Sequence, residues 1–467
     1  MCFDQICPMK KLLLALLIVE ASFAATLTHG PMVGHTTDAS TRIWVRADGP
    51  AELLVRLQGP GGHTAESAPL RLREEDNFCG TAVVRGLSPR TAYSYQIVLD
   101  GVAVEPATPQ TVRTFPRPGE PSVITIAFGH SLWGSGEQIV WKAVAAKKPD
   151  LLLLMGDNIY SNSTDPAKQR PMYLAYRADP YFRALAATTP VYAIWDDHDF
   201  GIDNSDRTQP GKRRSLKTFN ELWPNPPAAA PPGAGIWTKF SIGQAEFYLL
   251  DVRYHRSPDS APDTPRKTML GGAQRDWLIR SLAASKAMFK FPVSGSSWNC
   301  GGRESWNHRF VHEYDSILAG LRAARVEGVI LLGGDQHQCK IGVRPRESWA
   351  GYDLHEWMAG RLWSGQRAGQ SHGFGLITID TTAQPPTARL AFFDHDGASR
   401  TGTRVLYTTP GALRAMWDSP AGSLGTPPRS ADGELRSSTS GAIWDAQPTT
   451  TGETLTLDDL RFPPTRP

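Results

Sequence analysis

Apolar and polar positions divide this chain into stretches of different period. Residues 41–46, 53–57 and 93–99 largely alternate apolar and polar side chains, the period-two pattern of half-buried strands. Asp100-Gly101 closes the last of them with a hairpin signal, and residues 86–92 form a loop leading into it. Regularly spaced short strands predict a small all-β sandwich over residues 26–116, ended by the Pro/Gly stretch at 116–121.

From residue 122 the pattern changes to strand, loop, helix. Residues 123–128 predict a strand closed by Gly129-His130-Ser131. Residues 137–147 predict a helix with Ile139, Val140, Ala143 and Val144 on one face. Leu151-Leu152-Leu153-Leu154-Met155 is an unbroken apolar run that stops at Gly156-Asp157, as a strand covered on both faces would. An aromatic-rich helix is expected over 171–187, where Tyr173, Tyr176, Tyr181 and Phe182 are packing residues. A strand beginning at Val191 runs into Trp195-Asp196-Asp197-His198-Asp199. Further strands at 247–251, 291–295 and 329–332 alternate with helices at 270–282 and 315–325, and loops lie near 205–235 and 296–312. Residues 373–380 and 388–394 predict closing strands. This alternation gives the fold class α/β, with a mixed sheet. Residues 418–451 are rich in Ser, Gly, Pro and Thr and predict a loop or an extended wrap.

Composition adds bounds. The chain has 467 residues, 40% apolar and 20% charged, enough for two or three domains. A net charge of +3 is too mild to argue for specific nucleic-acid binding. Met9-Lys10-Lys11, an apolar core at 12–19 and small residues at 21–25 predict a signal peptide over residues 1–25, hence a secreted or periplasmic protein. No other stretch is apolar enough for a transmembrane helix in the mature chain. Of five Cys, Cys2 and Cys7 leave with the signal. Cys79, Cys300 and Cys339 allow one disulfide at most, and Cys339 suits a buried thiol.

The chemistry gathers where the buried strands end. Asp157, Asp197, His198, Asp335 and His337 all follow such strands, and open α/β sheets place ligands at the carboxyl ends of strands. Three strand ends bearing Asp, Asn or His predict one metal site. Tyr160 can swing back over the Asp157 turn as a phenolate ligand. Asp335 and His337 are two apart, so an extended segment would aim both the same way. Asp203 and Asn204 follow the Asp-Asp-His turn. Carboxylate, amide and imidazole donors suit a two-metal site, which clamps a phosphoryl group and activates a water.

Gly156-Asp157-Asn158-Ile159-Tyr160, Trp195-Asp196-Asp197-His198-Asp199 and Gly334-Asp335-Gln336-His337 resemble the motifs of PhoD-like alkaline phosphatases and phosphodiesterases of the calcineurin-like metallophosphoesterase superfamily. Residues 126–129, 250–253 and 269–274 match in the same order, and residues 30–34 and 86–89 resemble that family's N-terminal β domain. The resemblance implies a four-layer α-β-β-α domain over residues 122–410, after the sandwich of 26–116, with 411–467 wrapping it as a C-terminal extension. It also implies iron together with calcium. Asp157 would bridge the two metals, Tyr160 would bind iron, and Asp335 and His337 would be ligands, together with Asn204 or its neighbour Asp203. The family often has Cys closing the first strand. Here Ser131 stands at that place, with His130 beside it, which puts iron in question.

His198 is a candidate to assist the leaving group or to ligate metal, and Asp197 to orient it or to cap the strand end. Asp251 and Arg253 read as an internal ion pair. Arg303, His308 and Arg309 either line the pocket or sit on a solvated loop. The expected activity is an exported metal-dependent phosphoesterase acting on monoesters or diesters through a metal-activated water. Its substrate would be a small-molecule, lipid-derived or nucleotide-derived phosphate ester. The competing reading is a catalytically weakened fold serving as a secreted binding or adhesion module. Oligomeric state is not legible.

Overall fold

The computed structural model describes residues 25–132, 138–364 and 372–399, together with the strands Arg404–Tyr407 and Trp444–Asp445. The expected signal peptide and most of the expected C-terminal extension lie outside the described residues.

Residues 27–113 form two sheets. Leu27–Thr36, Ser40–Ala47 and Cys79–Arg85 make one, in that order. The other is built on Ala51–Gln58 paired antiparallel with Ala92–Leu99, with shorter strands along both. Val33, Ile43, Val45 and Val84 of the first sheet pack into one cluster with Leu53, Val55 and Ile97 of the second. The period-two pattern therefore has its cause in the inward faces of two sheets. The strands Leu27–Thr36 and Cys79–Arg85 were not expected from the sequence.

This unit is docked by specific bonds. Trp44 Nε1 donates to the Glu221 carbonyl at 2.8 Å, and the Tyr95 hydroxyl donates to the Ala187 carbonyl at 2.8 Å. The buried Arg177 guanidinium lies 4.9 Å from the Trp44 ring and 4.4 Å from the Trp223 ring.

Two larger sheets follow. The first runs Val191–Ile194, Leu151–Met155, Val123–Gly129, Gly373–Asp380, Thr387–Asp394, Arg404–Tyr407. Its first three strands are mutually parallel and the rest join antiparallel. All five residues of Leu151–Met155 are fully buried, because this strand lies between two neighbours and has packing on both faces. The second sheet runs Thr238–Ile242, Ala245–Leu249, Phe289–Val293, Leu331–Leu332, Leu354–Met358, Lys340–Arg344, Trp444–Asp445. Ile126, Phe128 and Leu153 of the first sheet share one core cluster with Phe247, Phe291 and Leu332 of the second. The helices Gly271–Ala284 and Val311–Ala323 pack in a separate cluster with Tyr248 and Leu331.

Several expectations are corrected. The helix expected over 171–187 is two helices, Pro166–Ala178 and Pro180–Ala186. Asp179 divides them because its carboxylate accepts from the Tyr181 and Phe182 amides, a cap followed by Pro at the first helical position. The loop expected near 205–235 contains the helix Lys212–Leu222, whose Leu216, Phe219 and Leu222 are buried. The strand beginning at Val191 ends at Ile194, and Asp197–Phe200 is already a short helix. The strand expected at 329–332 is regular only at Leu331–Leu332.

The carboxyl ends of the parallel strands from both sheets meet at one place, and glycine permits the approach. Gly156 has φ +96°, and a Cβ there would stand 2.7 Å from Asp196 Cβ. A Cβ on Gly334 would stand 2.5 Å from the Gly295 carbonyl oxygen and 3.0 Å from that of Met155.

Candidate metal centre

Asp157 follows the Leu151–Met155 strand with φ +52°, a left-handed turn that holds its carboxylate inside the protein. Its Oδ2 lies 3.2 Å from the Ser131 hydroxyl and accepts from the Tyr160 hydroxyl at 3.1 Å. Its Oδ1 is buried with no hydrogen-bond partner among the described residues. Asp157, Asp197 and His198 each offer a ligand atom, and these atoms lie within 4.8 Å of one another.

Tyr160 ties this turn to the other sheet. Its hydroxyl lies 3.1 Å from His337 Nε2 and accepts from Arg361 Nη2 at 3.0 Å. Its ring packs on His198 at 4.3 Å between centroids. His198 Nδ1 lies 2.6 Å from Asn162 Oδ1, an acceptor, so Nδ1 carries hydrogen and Nε2 is turned toward Asp203 at 3.6 Å. The Asn204 amide donates to Asp197 Oδ2 at 2.6 Å, whereas its side-chain amide donates to Asp203. Asp203 and Asn204 thus form one corner beside Asp197 and His198.

Asp335 and His337 do not lie on an extended segment. Their φ angles are +74° and +56°, so a tight turn after Leu332 orients them. His337 reaches the Asp157 turn through Tyr160. Asp335 Oδ2 accepts from Gln336 Nε2 at 2.6 Å and stands outside the Asp157–Asp197–His198 cluster.

The turn where the family often has Cys is also resolved in detail. The strand ends at Gly129 and Ser131 has φ +57°, so strand alternation no longer separates residues 130 and 131. The Ser131 hydroxyl faces Asp157 and lies 2.7 Å from His130 Nδ1. His130 Nε2 is spent on the Ala359 carbonyl at 3.0 Å. Its ring stacks on that of His337 at 5.8 Å. Burial, then Arg361, lowers the His130 pKa to about 3, and burial, then His130 and Arg361, lowers that of His337 to about 2. Both rings are neutral, the form that ligates metal.

Carboxylates crowd this interior. Burial first, then Asp197, Asp196, Asp199 and Asp335, pushes the Asp157 carboxyl well above the usual range. Burial, then Glu304, Asp196 and Asp197, does the same to Asp335. Asp196 is raised to about 6, chiefly by burial, although Arg253 opposes the shift. Asp199, also buried, is raised to about 7 and accepts from the Tyr173 hydroxyl at 2.7 Å. Asp197 alone moves down: burial opposes, but Arg253, His198 and the Asn204 amide together outweigh it. Mutual repulsion and an unpartnered Asp157 oxygen are what a cation at this point would relieve, and the donor set of carboxylate, phenol and imidazole fits one.

Sequence patterns missed the frame around these residues. Arg253 does not pair with the Asp251 carboxylate, as expected. Its guanidinium binds Asp196 and Glu304, the latter at 2.7 Å, and stands 3.5 Å from Asp197. Asp251 instead accepts from Trp195 Nε1 at 2.8 Å and from the amides of Ile236, Arg253 and Tyr254. Glu304, Arg361 and Asn162 had no sequence signal, since each arrives from a loop. Arg303 and Arg309 line a cleft of about 250 Å³ with Asn204, Asp259 and Ser260, while His308 is not among its lining residues. Cys79, Cys300 and Cys339 are buried thiols.

Residues 126–352 match the family model described as PhoD-like phosphatase, and residues 24–117 match one described as Domain of unknown function (DUF7800). Alkaline phosphatase D of Bacillus subtilis (strain 168) is 24% identical over 307 residues, 54% of this chain and 52% of that protein. The chain thus spans about half the length of the curated relative it matches. The solved structure of PhoD superposes with a TM-score of 0.67 at 18% identity, covering 80% of this chain and 88% of that one. A purple acid phosphatase from yellow lupin (Lupinus luteus) seeds gives 0.60 at 12% identity, over 86% and 77%. These two likenesses speak to the fold, a mixed α/β architecture of several sheets. Residues 126–352, just under half of the chain, thus carry a domain similar to the PhoD-like phosphatases.

Proposed function

We propose that this protein is an exported metal-dependent phosphoesterase that hydrolyses phosphate monoesters or diesters. The observation that carries the reading is the convergence of ligand atoms of Asp157, Asp197 and His198 within 4.8 Å of one another, together with a buried Asp157 oxygen that has no hydrogen-bond partner among the described residues. The match of residues 126–352 to a phosphatase family model supports the reaction class.

Asp157, Tyr160, Asn204, Asp335 and His337 are the residues we assign to metal binding, with Ser131 facing the same turn in place of a thiolate. Two ions held there would neutralise charge on the phosphoryl oxygens and ease deprotonation of water. In this reading water adds to phosphorus and the bond to the leaving oxygen breaks. The water gives up one proton and the leaving oxygen takes one up through His198 Nε2, whose ring Asn162 holds by Nδ1. Calcium remains suited to the oxygen donors. Iron, or zinc in its place, would rely on Tyr160 and His337.

We read the two large sheets as the inner layers of a four-layer α-β-β-α domain over residues 122–410 and the N-terminal sheets as a sandwich over 26–116. Residues 411–467 would extend the former, and residues 1–25 would direct export. No described helix is long and apolar enough to cross a membrane. Assay of purified protein on chromogenic mono- and diesters, with elemental analysis, tests the proposal. Turnover lost on chelation and at least 100-fold lower in Asp157→Ala is expected. Full activity of that variant, or no turnover of any ester by metal-loaded protein, overturns it.

A further inference from the structure

The cleft beside the metal centre has a chemistry of its own. It is lined by Asn204, Asp259, Ser260, Arg303 and Arg309. Arg303 and Arg309 have no carboxylate partner among the described residues. Arg309 Nε donates to the Arg303 carbonyl at 3.2 Å, which fixes one arginine by the backbone of the other. Asp259, the one acidic residue of the lining, is neutralised by Arg256: its Oδ1 accepts from Arg256 Nη2 at 2.7 Å and from Nε at 3.1 Å. The lining therefore presents two uncompensated guanidiniums.

The cleft is also mechanically tied to the centre. Glu304, adjacent to Arg303, is buried and accepts from Arg253 Nη1 at 2.7 Å and Arg256 Nη2 at 3.3 Å. The same Arg253 holds Asp196 and stands 3.5 Å from Asp197. Another lining residue, Asn204, donates its amide to Asp197 at 2.6 Å. The cleft is thus tied to Asp197 directly through Asn204 and by way of Glu304 and Arg253. At about 250 Å³ the cleft is smaller than the roughly 300–1,000 Å³ that encloses a whole ligand, so it suits one end of a molecule whose other end lies at Asp157.

We infer that Arg303 and Arg309 form a subsite for a second anionic group on the substrate, a phosphate or a carboxylate. This rests on the phosphoesterase reading and narrows it: the preferred ester carries a charged group beyond the scissile phosphate. Two guanidiniums give bidentate hydrogen bonds to either oxyanion, and a neutral group there would gain neither.

The test uses 4-nitrophenyl phosphodiesters whose second alcohol ends in a hydroxyl, a carboxylate or a phosphate. Metal-loaded wild type should show kcat/KM roughly 10- to 100-fold higher for an anionic terminus than for the hydroxyl. The R303A/R309A double variant should lose that advantage while hydrolysing the hydroxyl compound within about twofold of wild type. R303K/R309K should recover part of it. Preference for phosphate over carboxylate, or the reverse, identifies the anion. Equal turnover of all three by wild type overturns the inference and leaves the phosphoesterase reading standing. Hydrolysis of none overturns that reading. Titration of the purified protein with glycerol 3-phosphate then decides the subsite: weaker binding by the double variant supports it, and unchanged binding sinks it.

Discussion

The Arg253 guanidinium stands 3.5 Å from the Asp197 carboxylate, with its own side chain fully buried and that of Asp197 only 6% exposed. It also binds Asp196 and Glu304, so it serves three buried carboxylates, of which Glu304 alone has a second guanidinium, that of Arg256. Removing it leaves charge without compensation. Arg253→Met should therefore cost about 3–5 kcal/mol in urea unfolding, far more than its lost packing. A loss below about 1 kcal/mol would mean that these carboxylates are held by something else.

Ser131 supplies a second test. Its hydroxyl lies 3.2 Å from Asp157 Oδ2, so a thiol at the same position would face the proposed centre. Thiolate favours iron and zinc over calcium. Ser131→Cys should raise the iron or zinc content of protein purified from the same medium, read by elemental analysis. Unchanged metal content would place residue 131 outside the centre.

His35 joins the N-terminal unit to the larger one. Its amide donates to the Pro224 carbonyl at 2.8 Å, and its ring stands edge-on to the stacked Tyr192 and Phe240 rings, at 5.9 and 6.2 Å. Burial first, then Arg42, lowers its pKa from 6.5 to about 4. The folded state therefore holds a neutral ring while the unfolded chain takes a proton below pH 6.5. This contribution to stability is complete above pH 6.5 and is lost as pH falls toward 4, at about 1.4 kcal/mol per pH unit. The difference between wild type and His35→Phe in unfolding free energy should be flat above pH 6.5 and slope below it. A difference that does not change with pH would contradict a buried neutral His35.

Where side-chain period alone decides the element, the sequence was readable. Leu151–Met155 is apolar throughout because both faces are covered, and its Gly-Asp ending marks the site. Tyr160, three residues on, reaches Asp157 as the turn suggested. What could not be read depends on distant partners. Lys212–Leu222 was hidden among polar residues because only its Leu216, Phe219 and Leu222 side face the core. The turn geometry of Asp335 and His337 comes from positive φ angles that no periodicity reveals. Glu304 and Arg253 are 51 residues apart, and their pairing follows only from the folded arrangement of strand and loop.

Asp157 offers the test that separates a metal centre from an acidic core without one. Its Oδ1 has no partner among the described residues, and burial together with four neighbouring carboxylates opposes its ionisation. If a cation resolves this, chelation should lower stability. Metal present at about 100 times its dissociation constant should add about 2.7 kcal/mol to unfolding. Asp157→Asn keeps the shape and removes one charge. In chelator the variant should be more stable than wild type, by on the order of 1 kcal/mol, because repulsion falls. With metal restored the order should reverse, since the variant gains little. Thermal unfolding of both proteins with and without chelator reads all four states. Were wild type and variant to respond equally to the chelator, Asp157 would not be a ligand, and the carboxylates would have to share protons instead.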